Sequence, residues 1–171
     1  YIAENYEVTA VYASDLKRAF ATGKATADRL GLPSVPCQGL REIFAGKWEG
    51  VLFETIPTLY PAEWHNWKNN FAKVVCPDGE SVLQLQQRVL SAVREIARKH
   101  PNQTVVAATH ATPVRLLMAS CMDENLAGVD EVQWVSNASV TELIVDGERI
   151  SLGRADISAH LKEWKTGFKK E

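Results

Sequence analysis

The sequence lacks the features that mark several large classes of protein. Only three of its 171 residues are cysteines, Cys37, Cys76 and Cys121, and they are widely spaced. That pattern is neither a disulfide framework nor a zinc motif, so we expect three reduced thiols in a cytoplasmic protein. No stretch approaches the roughly 20 apolar residues that span a bilayer, and residues 1–4 do not resemble a signal peptide. We therefore expect neither a membrane protein nor a disulfide scaffold.

A strong charge of either sign is also missing. The chain has 19 basic and 21 acidic residues, which gives a formal net charge of −2. Domains that bind nucleic acid are usually strongly basic, so we expect no nucleic-acid partner. A chain of this length with 46% apolar residues buries enough surface to hold its core without a metal ion or a disulfide. We predict one domain over residues 1–171.

Two segments have the pattern of a buried strand followed by a turn and a helix. Residues 8–13 are an apolar run, Ser14 and Asp15 are suitable helix N-caps, and apolar residues then recur at helical spacing up to Leu30. Residues 104–109 form a second apolar run. A helix that starts at Pro113 and continues over residues 114–122 follows it. Such alternation is typical of a parallel sheet covered by helices.

The other segments complete this pattern. Residues 33–50 have the composition of a loop, and residues 51–73 predict short helices rich in aromatic side chains. Glu80 or Ser81 caps a long amphipathic helix that ends near residue 100. Residues 139–145 and 149–152 predict a hairpin around Asp146-Gly147. The fold class is thus α/β, a three-layer α/β/α sandwich with a mostly parallel sheet and an antiparallel edge, in which ligands bind beyond the carboxyl ends of the strands.

Chemically useful side chains follow both predicted strands. The first strand leads to Ser14, Asp15 and, one helical turn later, Arg18, and the second leads to His110 immediately before a helix. A helix N-terminus carries unpaired N–H groups and a partial positive charge, so an imidazole and a guanidinium beside it form a pocket suited to phosphate. The alternative is that His110 is structural or solvated and that Arg18 is an ordinary surface charge.

Glu42 is a candidate acid. It lies between apolar neighbours in a glycine-rich loop, where burial would raise its pKa toward that of a general acid. The alternative is an exposed loop carboxylate with no special role.

Five segments in this order extend the interpretation: VYASDLKRAFAT, LREIFAGKWEG, PDGES, ATHATPVR and VSNAS. The set resembles the histidine phosphatase (phosphoglycerate mutase-like) superfamily over roughly residues 8–161. The resemblance implies a phosphoglycerate mutase-like fold. It also implies that Arg18 binds phosphate, that Glu42 is the general acid and base, and that a protonated His110 is the second histidine of the phosphate pocket. Asn137 matches a position that we take to be a structural turn.

The sequence departs from the family pattern in two places. The family's Arg-His-Gly signature, which supplies the phosphorylated histidine at the end of a central first strand, does not occur in these 171 residues. We expect Tyr1 to correspond to a position late in the family's first helix, with further residues upstream; the alternative is a truncated, inactive protein. The second departure is Ala111, where the family usually has glycine. If this position requires a positive φ, alanine lowers the free energy of unfolding by about 1 kcal/mol. Otherwise alanine has no such effect.

The short spacing of about thirty residues between Gly50 and Ser81 resembles that of the family's phosphatases rather than its mutases. The motifs look like those of the broad-specificity and α-ribazole-5′-phosphate phosphatases. We therefore expect hydrolysis of a small-molecule phosphomonoester through a phosphohistidine, without a cofactor or a metal ion. A non-catalytic phospholigand-binding module is the alternative from another class, and a phosphoglycerate mutase is a further one.

The resemblance also gives a set of substrate contacts and a cap. The residues expected to contact substrate are Ser14, Arg18, Trp64, His110 and Ala111. Residues 51–80 are an aromatic-rich insertion that covers the pocket and selects the leaving group, or else simply packs against the sheet. The sequence identifies neither the physiological substrate nor the oligomeric state, for which a homodimer is one option.

Overall fold

The computed structural model describes residues 1–161. Its parallel sheet has three strands, β1 (Val8–Ala13), β2 (Ser34–Pro36) and β3 (Thr104–Ala108), in the order β2-β1-β3. Strands β4 (Leu143–Asp146) and β5 (Arg149–Leu152) form a separate antiparallel pair. The prediction of an α/β fold with a parallel sheet is confirmed, and the antiparallel strands predicted at its edge form a separate pair within residues 1–161.

The register of the parallel sheet determines where the residues that follow β1 and β3 lie. Ala13 at the end of β1 pairs with Ala108 at the end of β3, so the two strands end side by side. The backbone N–H of Ser14 continues the ladder by donating to the Ala108 carbonyl at 2.8 Å. The residues that leave both strands are thereby brought to one edge of the sheet.

Helices cover both faces of this sheet. Helix α2 (Lys17–Leu30) packs so closely on one face that a Cβ on Gly23 would lie 2.6 Å from the Cβ of Ala13. On the other face, Tyr12 and Val105 pack against a cluster from α5 (Val82–Lys99) and α6 (Ala111–Met122). The three layers follow from the alternation of side chains along β1, which point to opposite faces of the sheet.

Helix α5 begins as the sequence predicts. The hydroxyl of Ser81 accepts a hydrogen bond from the Gln84 backbone N–H, and the Gln84 side chain accepts one from the Ser81 backbone N–H. This reciprocal capping box satisfies two N–H groups that a helix start otherwise leaves unpaired. The apolar stripe is buried at Val82, Leu85 and Val89, so tertiary packing stabilises the helix along its length.

Two helix starts differ from the prediction. Helix α6 begins at Ala111 with His110 as its N-cap, rather than at Pro113, because proline is equally compatible with the third position of the first turn. Helix α2 has Leu16 as its N-cap, and neither Ser14 nor Asp15 occupies that position. Asp15 instead accepts two hydrogen bonds from the Arg41 guanidinium, which draws its side chain away from the helix.

Two strand boundaries also differ. Residues 34–36, expected in a loop, pair with the end of β1 as the short edge strand β2. The hairpin strand starts at Leu143 rather than at residue 139, and Asp146 still pairs with Arg149. The turn therefore consists of Gly147 and Glu148, with Gly147 at a φ of +58°. Glycine adopts that conformation without steric cost and is therefore suited to the first position of this turn.

Residues 51–80 contain the predicted short helices. Helices α3 (Ile56–Leu59) and α4 (Pro61–Asn69) follow each other closely, and aromatic rings join this segment to the core. Trp67 lies in edge contact with both Trp48 and Phe71, at ring-centroid distances of 5.6 and 5.0 Å. A further short helix, α1 (Ile2–Asn5), precedes β1.

Within residues 1–161, β3 has a partner on one edge only, and β4 pairs with β5 alone. This agrees with the expectation that the family's first strand is absent from these residues. The predicted domain over residues 1–171 also includes residues 162–171, which lie outside the described part. No described helix is both long enough and apolar enough to cross a bilayer.

Candidate active site

Ser14 and His110 meet at the carboxyl end of the parallel sheet. Ser14 Oγ lies 2.8 Å from His110 Nε2, and both side chains are buried, with Ser14 at 0% exposure. The Leu16 backbone N–H donates to the same Ser14 oxygen at 3.3 Å. Ser14 was expected to contact substrate directly. In the described residues it is fully buried against the imidazole, and direct contact with substrate stays a prediction.

The Glu42 carboxylate lies at the start of α6. Its Oε1 accepts a hydrogen bond from the Ile43 backbone N–H at 2.8 Å, and its Oε2 accepts one from the Thr112 N–H at 3.4 Å. Burial raises the pKa of Glu42, although these two N–H groups and the charge of Arg18 partly oppose the rise. The environment therefore favours a proton on this carboxyl more than bulk water does, as expected from the sequence.

The protonated His110 that the resemblance implies belongs to the phosphate-bound state, and the protein alone has a different environment. Burial, followed by the positive charges of Arg18 and Arg88, lowers the pKa of His110 to about 4. The imidazole of the protein alone is therefore neutral at pH 7. A phosphate dianion beside it would act in the opposite direction and stabilise the imidazolium.

Arg18 lies on the same side of the sheet edge. Its side chain is exposed in the first turn of α2, and among residues 1–161 it has no hydrogen bond or ion pair with another protein group. Its charge acts on both Glu42 and His110, which places the three side chains in one electrostatic environment. An exposed guanidinium with free donors beside a helix N-terminus is suited to bind an anion.

Ala111 is the first residue of α6, and its φ is not positive. The alanine therefore carries no left-handed strain, and the doubt raised by the usual glycine does not apply to this backbone.

Trp64 packs against the core cluster that includes Ile43, the neighbour of Glu42, and its contact with substrate stays a prediction. Its ring contacts Phe53 edge-on at 5.0 Å and lies 5.4 Å from Lys68 Nζ. Within the described part of the chain, no hydrogen bond or ring contact joins it to Ser14, Glu42 or His110. These contacts are those of ordinary packing, and a role for residues 51–80 as a cap stays a prediction.

Sequence reasoning did not identify Arg88 or the pairings around it. Arg88 forms an ion pair with Glu80, and its guanidinium donates to backbone carbonyls of the loop that carries Glu42. Thr109 holds the same loop from β3, through a 2.7 Å hydrogen bond to the Leu40 carbonyl. Arg88 lies on the polar side of an amphipathic helix, where no local pattern separates it from an ordinary surface charge.

Within residues 1–161, no group of three His, Cys, Asp or Glu side chains is arranged to hold a metal ion. The three cysteines are unpaired, and burial raises the pKa of Cys76 to about 11. A thiol of that pKa is protonated at neutral pH and is a poor nucleophile.

Comparison with known proteins places these features in a family. The sequence model of the histidine phosphatase superfamily (branch 1) matches residues 2–157. Phosphoserine phosphatase 1 of Hydrogenobacter thermophilus is 30% identical over 158 residues, which cover 90% of this chain and 72% of that protein. Phosphoglycerate mutase-like protein 4 of Arabidopsis thaliana is 28% identical over 98% of this chain and 71% of its own length.

A solved structure gives the same relationship. YhfR of Bacillus stearothermophilus superposes with a TM-score of 0.85 at 28% identity. The match covers 92% of this chain and 78% of that one.

Proposed function

This chain belongs to the histidine phosphatase superfamily, and on that premise we propose that it forms most of the active site of a phosphatase that hydrolyses a small-molecule phosphomonoester through a phosphohistidine. The observation that supports the proposal is that the Glu42 carboxylate accepts from the Thr112 N–H in the first turn of α6, beside the N-cap His110, while the charge of Arg18 acts on both side chains. One edge of the sheet thus offers a guanidinium, an imidazole and helix N–H groups for an anion, beside a carboxyl that favours a proton.

The first chemical step is transfer of the phosphoryl group to a histidine. In the proposed mechanism this nucleophile belongs to an Arg-His-Gly segment outside the 171 residues. Its ring nitrogen forms a bond to phosphorus as the P–O ester bond breaks in line with it. Arg18 and His110 hold the equatorial oxygens, on which the transition-state charge develops. The dianion also raises the pKa of His110, so that the ring donates a hydrogen bond as the imidazolium.

Glu42 moves the proton in both steps. When the ester bond breaks, the protonated carboxyl gives its proton to the departing alkoxide, which leaves as an alcohol. In the second step the carboxylate takes a proton from water, the water oxygen bonds to phosphorus, and the N–P bond breaks. Inorganic phosphate is released, and Glu42 is protonated again.

A phospholigand-binding module is the second candidate. The other three histidines lie outside the anion site, so none of them supplies the nucleophile that turnover requires. His65 lies exposed on α4, the ring of His100 bonds the Tyr12 hydroxyl, and that of His160 bonds the Ala138 carbonyl. Such a module would use the anion site without turnover.

The test is a panel of alkyl, aryl and amino-acid phosphomonoesters with the full-length protein, with and without EDTA. The proposal predicts turnover that EDTA leaves unchanged, together with an acid-labile phosphoprotein trapped on rapid quenching. Tight phosphate binding without turnover would favour the binding module, and transfer between two positions of one sugar acid would favour a mutase.

The proposed cytoplasmic location rests on the unpaired thiols alone.

A further inference from the structure

The segment that carries Glu42 has little regular structure of its own. We call residues 38–44 the Glu42 loop. It starts with a single 3-10 turn (Gln38–Leu40) and continues as extended chain. Most of its backbone carbonyls therefore lack a partner within a helix or sheet and need one from elsewhere.

Arg88 of α5 supplies these partners. Its Nη1 donates to the carbonyls of Gly39 and Arg41 at 3.0 and 3.1 Å and, at 3.4 Å, to that of Gln38. Its Nη2 donates to the carbonyl of Glu42 itself at 3.3 Å. One guanidinium thus reaches four carbonyls of the loop.

Glu80 completes the arrangement from the other side. Its two carboxylate oxygens accept from Arg88 Nε and Nη2 at 2.9 and 2.8 Å, which fixes the plane of the guanidinium. Its Oε2 also accepts from the Phe44 N–H at 3.2 Å, while its own N–H donates to the Phe44 carbonyl at 2.8 Å. Arg88 and Glu80 therefore hold the loop on both sides of the Glu42 side chain.

Two glycines allow the Glu42 loop to approach α5 and the 77–79 turn closely. A Cβ on Gly39 would lie 2.6 Å from the Cβ of Ala92, one turn beyond Arg88 on α5. A Cβ on Gly79 would meet the Phe44 carbonyl and lie 2.8 Å from the Gly46 nitrogen. The loop sits directly on α5 and on the 77–79 turn because neither glycine has a side chain.

We propose that Arg88 and Glu80 are positioning residues, which hold the Glu42 loop so that its carboxylate faces the N-terminus of α6 and the leaving group of the substrate. The inference rests on the proposed function, since it gives the pair a role in proton transfer. Lysine cannot replace Arg88 in this role, because a single ammonium lacks the planar set of donors that reaches Glu80 and several carbonyls together.

A positioning role and a purely structural role of the Arg88–Glu80 pair predict different effects on turnover. The ion pair is partly exposed, at 29% for Arg88 and 14% for Glu80, so its loss can be expected to leave a folded protein. A loss of folded protein lowers the turnover of every substrate by the same factor. Misplacement of an acid lowers turnover only where the leaving group needs a proton.

The experiment compares Arg88→Met with wild type in the full-length protein, using p-nitrophenyl phosphate and n-butyl phosphate. We expect kcat/KM for butyl phosphate to fall about 10- to 100-fold further than that for p-nitrophenyl phosphate. Arg88→Lys should show the same selective loss, and Glu80→Gln a smaller one. The matched control is Arg98→Met on the same helix, where an exposed ion pair with Glu148 is lost and both substrates should be unaffected.

A second readout does not depend on turnover. Burial raises the pKa of Glu42 in the intact loop, so release of the loop in Arg88→Met should lower that pKa toward the value of an exposed glutamate. A carbon-13 NMR titration of the Glu42 carboxyl measures this in the full-length protein, with Glu80→Gln as the second variant if Arg88→Met does not fold.

An unchanged Glu42 pKa with equal losses for both esters would overturn the positioning role. If no protein hydrolyses either ester, the proposed function fails, and the Glu42 titration still decides whether the pair positions the loop.

Discussion

Ser14 Oγ and His110 Nε2 lie 2.8 Å apart, although 96 positions separate the two residues in the sequence. The pairing follows from the parallel register of β1 and β3, which end side by side at Ala13 and Ala108. The Leu16 N–H donates to Ser14 Oγ and occupies one lone pair, which leaves the hydroxyl with its proton and a second lone pair for the imidazole nitrogen. The hydroxyl can therefore pair with the ring nitrogen in either tautomer of the neutral imidazole.

Loss of this contact should weaken the anion site. In Ser14→Ala the buried His110 nitrogen loses its hydrogen-bond partner, a change that costs about 1–3 kcal/mol at a buried polar group. We expect a lower free energy of unfolding and phosphate affinity reduced by about 5- to 100-fold, as measured by urea denaturation and calorimetric titration. Ser91→Ala, at an exposed position of α5, should change neither. Unchanged phosphate affinity in Ser14→Ala would show that the hydroxyl does not support His110.

His110 should also make the stability depend on pH. Its pKa of about 4 in the folded protein lies below the usual 6.5, so the unfolded chain binds the proton more tightly. Its contribution to stability is complete above about pH 6.5 and is lost as the pH falls through 4, by an amount on the order of 3 kcal/mol. The raised pKa of Glu42 acts with the opposite sign, so the comparison must isolate one residue.

The measurement is the free energy of unfolding at pH 7 and at pH 4.5 for wild type, His110→Asn and His65→Asn. We expect a smaller loss on acidification in His110→Asn than in wild type. The exposed His65→Asn should behave as wild type does. Equal losses in all three proteins would mean that His110 titrates normally in the folded state.

Much of the fold was predictable because its signals are local. The apolar run of β1 and the stripe and cap of α5 each depend on residues close in sequence, and each is confirmed. The short strand β2 was missed because only pairing with β1 makes three residues into a strand. The start of α6 was misplaced because proline is compatible with more than one position of a first helical turn.

The candidate site also has a part that the sequence predicts and a part that depends on tertiary packing. Family motifs point to Arg18, Glu42 and His110 as single residues, and strand ends indicate where the first and last lie. Motifs do not reveal what holds Glu42 in place. The contacts of Arg88 with carbonyls about 46 to 50 residues away arise only when α5 packs against the loop. The lowered pKa of His110 in the protein alone was not predictable either, because burial and two nearby arginines are tertiary properties.

The 171 residues on their own should bind phosphate without hydrolysing esters. They contain the proposed anion site of Arg18, His110 and the α6 N-terminus, but in the proposed mechanism the attacking histidine lies outside them. We expect weak phosphate binding that Arg18→Ala abolishes, and no release of p-nitrophenolate above the rate in buffer. Robust hydrolysis of p-nitrophenyl phosphate by these residues alone would contradict the assignment of the nucleophile.

The most direct test of the account is the leaving-group dependence of Glu42→Gln in the full-length protein. The variables are kcat/KM for an alkyl and an aryl phosphate, with the phosphorylation step followed in single turnovers so that later hydrolysis does not mask it. General acid catalysis is typically worth about 10²–10⁴-fold, and p-nitrophenolate leaves without a proton.

The account predicts a loss in that range for the alkyl ester and a much smaller loss for the aryl ester, while His110→Ala lowers both by a similar factor. Equal losses for the two esters in Glu42→Gln would contradict it, since Glu42 would then not be the acid. The replacement would have to come from elsewhere, because Asp15 is held by Arg41 and Glu80 by Arg88.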